Sequence, residues 1–261
     1  MFTSDDHLAA RLSCDDLLST RLGRSWSLEP LVATLSFAAF MRLFRLYEEK
    51  RPTSVFRPPF RFSTRAIGSL FVYWLGVAMW VCIVPRPVGA ASGCPHNVSD
   101  YFHLAAEVAA GLISYDFLFF FVHLLMHHSA RFGSWTNHAQ HHKFTHDESS
   151  YRTVNHSLVD GTMQVLVNIL VQRHTPWGAP KTKLARLLHN VLIVELLVES
   201  HSSSRHPRIA RRLFTGVDGH VRHHRHGGPP YEAFFGYLDW AWARYCGGGD
   251  RLYVKRGRRE H

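Results

Sequence analysis

Cysteine is scarce and scattered in this chain. Cys14, Cys82, Cys94 and Cys246 form no CxxC pair and no dense disulfide framework, so zinc-finger chemistry is not expected. Cys82 lies within an apolar run and reads as a small buried hydrophobe. Residues 1–29 are polar, with Asp5, Asp6, Asp15 and Asp16, and lack the apolar core of a cleavable signal peptide. No repeat of solenoid period and no low-complexity linker interrupts the 261 residues. No Ser-His-Asp or Cys-His grouping offers a nucleophile, and no haem-binding or flavin-binding motif is present. Acidic residues are outnumbered. Twenty Asp and Glu against 30 Lys and Arg leave a formal charge of +10. Such an excess suits nucleic acid, an anionic membrane face or an acidic partner. Uncharged runs of spanning length favour the membrane, so no nucleic-acid partner is expected.

Those runs are the first thing the chain does have. Residues 66–84, AIGSLFVYWLGVAMWVCIV, carry no charge. A helix of that length is about 28 Å long, close to the depth of a bilayer's hydrocarbon core, and the segment reads as a transmembrane helix. Residues 104–126 form a second run, interrupted by Glu107, Asp116 and His123. A charged side chain in mid-span costs on the order of 3 kcal/mol, so each of these marks a functional position or a helix end. Residues 31–41, followed at once by Arg42 and Arg45, read as a short membrane or interfacial helix. The runs 158–172 and 187–198 flank Pro176, Gly178 and Pro180 and read as a partly inserted helical hairpin.

Loop charge gives an orientation. Residues 48–65 carry Lys50, Arg51, Arg57, Arg61 and Arg65, whereas 85–103 carry only Arg86. The first loop is therefore expected in the cytosol and the second on the other side. Asn97-Val98-Ser99, in the second loop, is a glycosylation sequon. From residue 202 onward the chain is polar and basic, with twelve Lys and Arg against five Asp and Glu. The expected organisation is a polar N-terminal segment (1–29), membrane helices with a luminal loop (30–103), a histidine-rich domain (104–245) and a basic tail (246–261).

Histidine is the outlier. Sixteen of the 20 fall between His123 and His226. His123 and His127 are spaced i, i+4, so helical geometry puts both rings on one face, with His128 pointing elsewhere. His138, His141 and His142 follow HxxHH, and His220, His223 and His224 repeat it; His156 and His201 lie between. A lone histidine reads as an ordinary hydrogen-bonded residue, and His146, His174, His189 and His226 are left as such. Three spaced clusters in one stretch read as a metal site, for which imidazole suits iron, zinc, copper or nickel. Eight cluster ligands, or ten with His156 and His201, suit two ions. Asp116, Asp160, Glu199, Asp218 and Asp239 are candidate carboxylates for orienting the imidazoles.

In order, HLLMH, HAQHH, a solitary histidine, ESHS and HVRHH followed by FFGYLDW resemble the fatty acid hydroxylase or sterol desaturase superfamily, over roughly Tyr115 to Trp242. The departures are Leu124 in the first motif, where arginine is familiar, Ser203 after ESHS, and Gly219 before the last cluster. The resemblance implies an all-α membrane bundle of about four membrane helices with a cytosolic histidine-rich helical cap holding a dimetal site. It implies His123, His127, His138, His141, His142, His156, His201, His220, His223 and His224 as ligands of two iron ions. It further implies O2-dependent hydroxylation or desaturation of a sterol, fatty-acyl chain or other membrane lipid, in the endoplasmic reticulum. An external electron donor such as cytochrome b5 with its reductase would serve it. The same site loaded with zinc, as a membrane hydrolase, is the alternative enzyme, and a metal-storage or transport protein the alternative of another class.

Overall fold

The computed structural model describes residues 13–20, 27–49, 68, 71, 74–76, 78, 91–143, 150–202 and 214–245. Among these there is no strand beyond two isolated bridges, and the architecture is helical throughout. The helices are α1 (Cys14–Ser19), α2 (Leu28–Glu49), α3 (Val98–His128), α4 (Ala130–Thr136), α5 (Leu158–Arg173), α6 (Lys183–His201), α7 (Gly216–His226) and α8 (Tyr237–Tyr245). Two 3-10 turns, His138–Lys143 and Ser150–Val154, fill the connection between α4 and α5. The run read as a span over 66–84 lies largely outside the described residues; Gly68, Phe71, Trp74, Leu75, Gly76 and Ala78 of it are helical. The basic loop 51–65 and the tail 246–261 lie outside them altogether.

The helix α3 is apolar around its whole circumference, as expected of a helix surrounded by lipid or protein. Its exceptions point inward: Glu107, Asp116 and His123 are 2%, 0% and 4% exposed, while Ile113, Phe117, Phe121 and Leu125 face outward. Both α2 and α3 are long and apolar enough to cross a membrane. The apolar segment 31–41, read from sequence as a short membrane or interfacial helix, is part of α2, which runs past Arg42 and Arg45 to Glu49. Arg45 does not end it, because the guanidinium is buried against Glu48 at 3.7 Å. Glu48 in turn accepts the Ser150 N–H at 2.9 Å, tying α2 to the second 3-10 turn.

The hairpin expected around Pro176, Gly178 and Pro180 is present as α5 and α6. Its turn is closed by the Thr175 N–H on the Ala179 carbonyl at 2.8 Å, with Gly178 at φ 86°, a conformation that suits glycine. The helix α6 is the hub, packing against α2, α3, α7 and the Ser150–Val154 turn. One core cluster joins Tyr115, Phe119, Val167, Ile193 and Phe234, with Tyr115 stacked between Phe119 and Phe234. A second joins Ala33 and Met41 to Val154, Val194 and Val198.

At the end of the bundle away from the histidines, Cys14 and Cys94 are joined by a disulfide across 80 residues of chain. Nothing in the cysteine spacing announces this pair. Asp15 adds contacts to Ser92 and, at 2.9 Å, to His96, so α1 is fastened to the start of α3. Closing a loop of 80 residues is worth about 4 kcal/mol in the chain-entropy account. Reduction, or Cys14→Ser, should therefore lower the thermal unfolding temperature of the detergent-purified protein. A scan with and without dithiothreitol checks this, and an unchanged transition would show that the bridge does not constrain the unfolded chain.

Candidate metal centre

Two groups of imidazoles meet where α3, the His138–Lys143 turn, α6 and α7 converge. His123, His127, His138, His142 and His223 form one group; His141, His201, His220 and His224 form the other. Within each group the potential ligand atoms lie within 4.8 Å of one another. The helical spacings explain how. On α3, His123 and His127 are one turn apart, and on α7 His220 and His224 are likewise, so each pair shares a face. The left-handed Asn137 (φ 51°) turns the chain out of α4 so that the HAQHH segment folds back against α3.

Tautomers are fixed from outside. The Nδ1–H of His123 reaches the Tyr231 carbonyl (2.8 Å), that of His223 the Gly228 carbonyl (2.6 Å) and that of His201 the Leu197 carbonyl (2.8 Å). The Nδ1 of His138 donates to Asp160 Oδ2 at 2.9 Å. A neutral imidazole has one proton, so these four rings turn bare Nε2 lone pairs inward. Within each group the Nε2 atoms crowd together. His123 and His138 are 3.0 Å apart at Nε2, His138 and His142 3.0 Å, His123 and His223 3.1 Å. In the second group His201 and His220 are 3.0 Å apart, His220 and His224 2.9 Å, His141 and His201 3.4 Å. The Nε2 of His127 is buried with no hydrogen-bond partner at all. Lone pairs at such range repel unless a cation lies between them. Nitrogens each about 2.1 Å from a common ion, at right angles, are about 3.0 Å apart. The residues fit two metal ions, and rings of the two groups are in contact, His142 and His224 at 4.5 Å between centroids.

Nine of the ten histidines expected as ligands are thus brought together. His156 is not in either group. Its ring lies 6.3 Å from that of His141 and packs over Gly161, where a Cβ would come within 2.6 Å of it. His128 meets the Tyr231 hydroxyl at 3.0 Å. His189 is buried in a separate polar network, and His146 lies outside the described residues. Gly219, one of the departures from the familiar pattern, packs against Thr215, and a Cβ there would come within 2.7 Å of its methyl.

Of the carboxylates named as possible orienting groups, Asp160 holds an imidazole directly. Asp116 and Asp239 act one step removed. Asp116 accepts the N–H groups of Phe234 (2.8 Å) and Phe235 (3.2 Å), and Asp239 those of Tyr231 (2.8 Å) and Glu232 (2.9 Å). Together they pin the 231–235 segment, whose Tyr231 carbonyl positions His123. Sequence reasoning missed this use of backbone carbonyls, because a carbonyl leaves no mark in residue type.

Burial holds the His142 imidazole down at about 4, and it holds His141, His220 and His223 well below the ordinary histidine value, with neighbouring imidazoles acting in the same direction. Neutral rings are what metal binding needs. In the unfolded chain they titrate near 6.5, so below about that pH the unfolded state binds more protons than the folded one. Metal-stripped protein should therefore unfold at steadily lower temperature as pH falls from about 6.5 to 5, and vary little above 7. Thermal scans across that range test it. Replacing Asp160 by Asn should weaken metal binding by roughly 10- to 100-fold, read by competition with a chelator.

The fatty acid hydroxylase family matches residues 108–243, just over half of the chain. No curated protein and no solved structure matches it. The matched span holds all nine clustered histidines, Asp160 and the 231–235 segment that braces them. The histidine motifs and the match over the whole segment agree, and the chain belongs to the fatty acid hydroxylase family.

Proposed function

We propose that the protein is a membrane-bound oxygenase that hydroxylates or desaturates a lipid at a pair of iron ions held by the nine clustered histidines. Family membership implies an oxidoreductase acting on lipid. The observation that carries the metal reading is the convergence of the His123, His138 and His223 Nε2 lone pairs, whose Nδ1 protons are already committed elsewhere. Iron bound there would supply activation of O2 and oxidation of an unactivated C–H bond. The chain's own contribution is to hold nine neutral imidazoles in place, with Asp160 as the carboxylate that anchors His138 and offsets part of the added charge. Hydroxylation consumes a C–H bond, O2, two electrons and two protons, and yields an alcohol and water. The electrons come from outside the chain, from a donor such as cytochrome b5 and its reductase. The basic residues Arg222 and Arg225 on the exposed side of α7 would meet an acidic donor close to the site.

The site end is assigned to the cytosol and the other end to the lumen of the endoplasmic reticulum. The Cys14–Cys94 bridge supports this, since disulfides persist in oxidising compartments. Asn97, exposed three residues after Cys94, has its Oδ1 engaged by the Asp100 N–H, which leaves its Nδ2 open to a glycan. The test is elemental analysis of protein expressed with iron, followed by O2 uptake with lipid and a reduced donor. About two irons per chain and lipid-dependent uptake are expected, both lost in His141→Ala. Two zinc ions with no O2-dependent turnover after anaerobic iron loading would instead favour the zinc hydrolase.

A further inference from the structure

A mostly apolar cavity, partly open at its mouth, lies beside the metal centre between α2, α3, α5 and α6. His156 and Gly161 line it at the end near the histidines; Ala33, Phe37, Tyr115 and Ile193 give it apolar walls. At its far end stand two amides, Asn168 and Asn190. From Gly161 to Asn168 along α5 is seven residues, or about 10 Å of helix.

The two amides belong to a hydrogen-bond chain whose direction can be read. Lys181, 1% exposed, reaches His189 Nδ1 at 3.2 Å. An ammonium only donates, so His189 accepts at Nδ1 and carries its proton on Nε2. That proton goes to Asn168 Oδ1 at 3.1 Å. The amide nitrogen of Asn168 then donates to Asn190 Oδ1 at 3.0 Å, where Gln172 Nε2 donates as well at 2.9 Å. Each link fixes the orientation of the next, and the last group, Asn190 Nδ2, donates to no described residue. Asn190 is 3% exposed and lines the cavity. The same network leaves Gln172 Oε1 buried without a partner, but of the two unspent groups only Asn190 Nδ2 belongs to a residue that lines the cavity. Burying such a donor without a partner is unfavourable.

We infer that Asn190 is a specificity-determining residue, donating from Nδ2 to a neutral oxygen of the lipid that fills this cavity; the assignment rests on the lipid-oxidation reading. The oxygen, a hydroxyl or carbonyl, would lie about 10 Å along an apolar body from the part nearest the metal centre. A carboxylate or phosphate is disfavoured there, because a single neutral donor does not compensate a buried charge.

Equilibrium binding to the metal-loaded protein in nanodiscs tests this without turnover, with dodecan-1-ol and dodecane as probes at matched mole fraction in the bilayer. The alcohol should bind roughly fivefold more tightly than the alkane in the unaltered protein. Asn190→Leu should abolish that difference while still binding the alkane. Equal binding of both probes to the unaltered protein would overturn the assignment and leave the metal-and-oxygen reading intact, as would a preference that survives in Asn190→Leu. Binding of neither would overturn the cavity as a lipid site. Should the variant not fold, the comparison of the two probes on the unaltered protein still decides.

Discussion

Imidazole nitrogens packed about 3 Å apart inside two adjoining groups set the terms for everything around them. Each ring must stay neutral, so its surroundings must be dry. Each must hold its proton on the outward nitrogen, so an acceptor must stand behind it. A positive ion must lie between them, or the arrangement repels itself. The fold meets the first two demands with backbone carbonyls far apart in sequence, from Leu197 on α6 to Gly228 and Tyr231 beyond α7.

Carbonyls can do this only if their segments are held firmly. The residues from 228 to 235 are not helical, and their order comes from Asp116, Asp239 and Glu232, which take up the N–H groups of the segment and of the start of α8. Asp116 lies within an apolar helix, where an isolated carboxyl is costly. Its placement at 0% exposure against two backbone donors accounts for its presence there. The helix α6 is the other support, because it carries His201 at one end and packs against α2, α3 and α7 along its length.

Much of the site was legible in the sequence. The i, i+4 pair and the two HxxHH repeats account for eight of the nine rings that gather in space, since side-chain direction on one or two turns of helix follows from spacing alone. His156 and His201 show the limit of that logic. Neither has a spaced partner, yet His201 joins the second group while His156 lies beside it, over Gly161. Asp116 was recognised as anomalous but read as facing an imidazole, whereas it faces backbone. The disulfide and the chain from Lys181 to Asn190 were not legible at all. Each joins segments that only the packing of α1, α3, α5 and α6 brings together. The helical hairpin was read correctly from its apolar runs and intervening Pro and Gly.

The length of α3 has a consequence for how the protein sits in its surroundings. Its 31 residues make a rod of about 46 Å, against a hydrocarbon core of about 30 Å. Roughly a third of the rod therefore projects into the headgroup layers or is absorbed as tilt. His123 and His127 lie in its last two turns, so they stand at one extremity of the rod and not at its middle. A bilayer of different thickness would meet that extremity at a different depth, which links the tilt of α3 to where its two histidines sit.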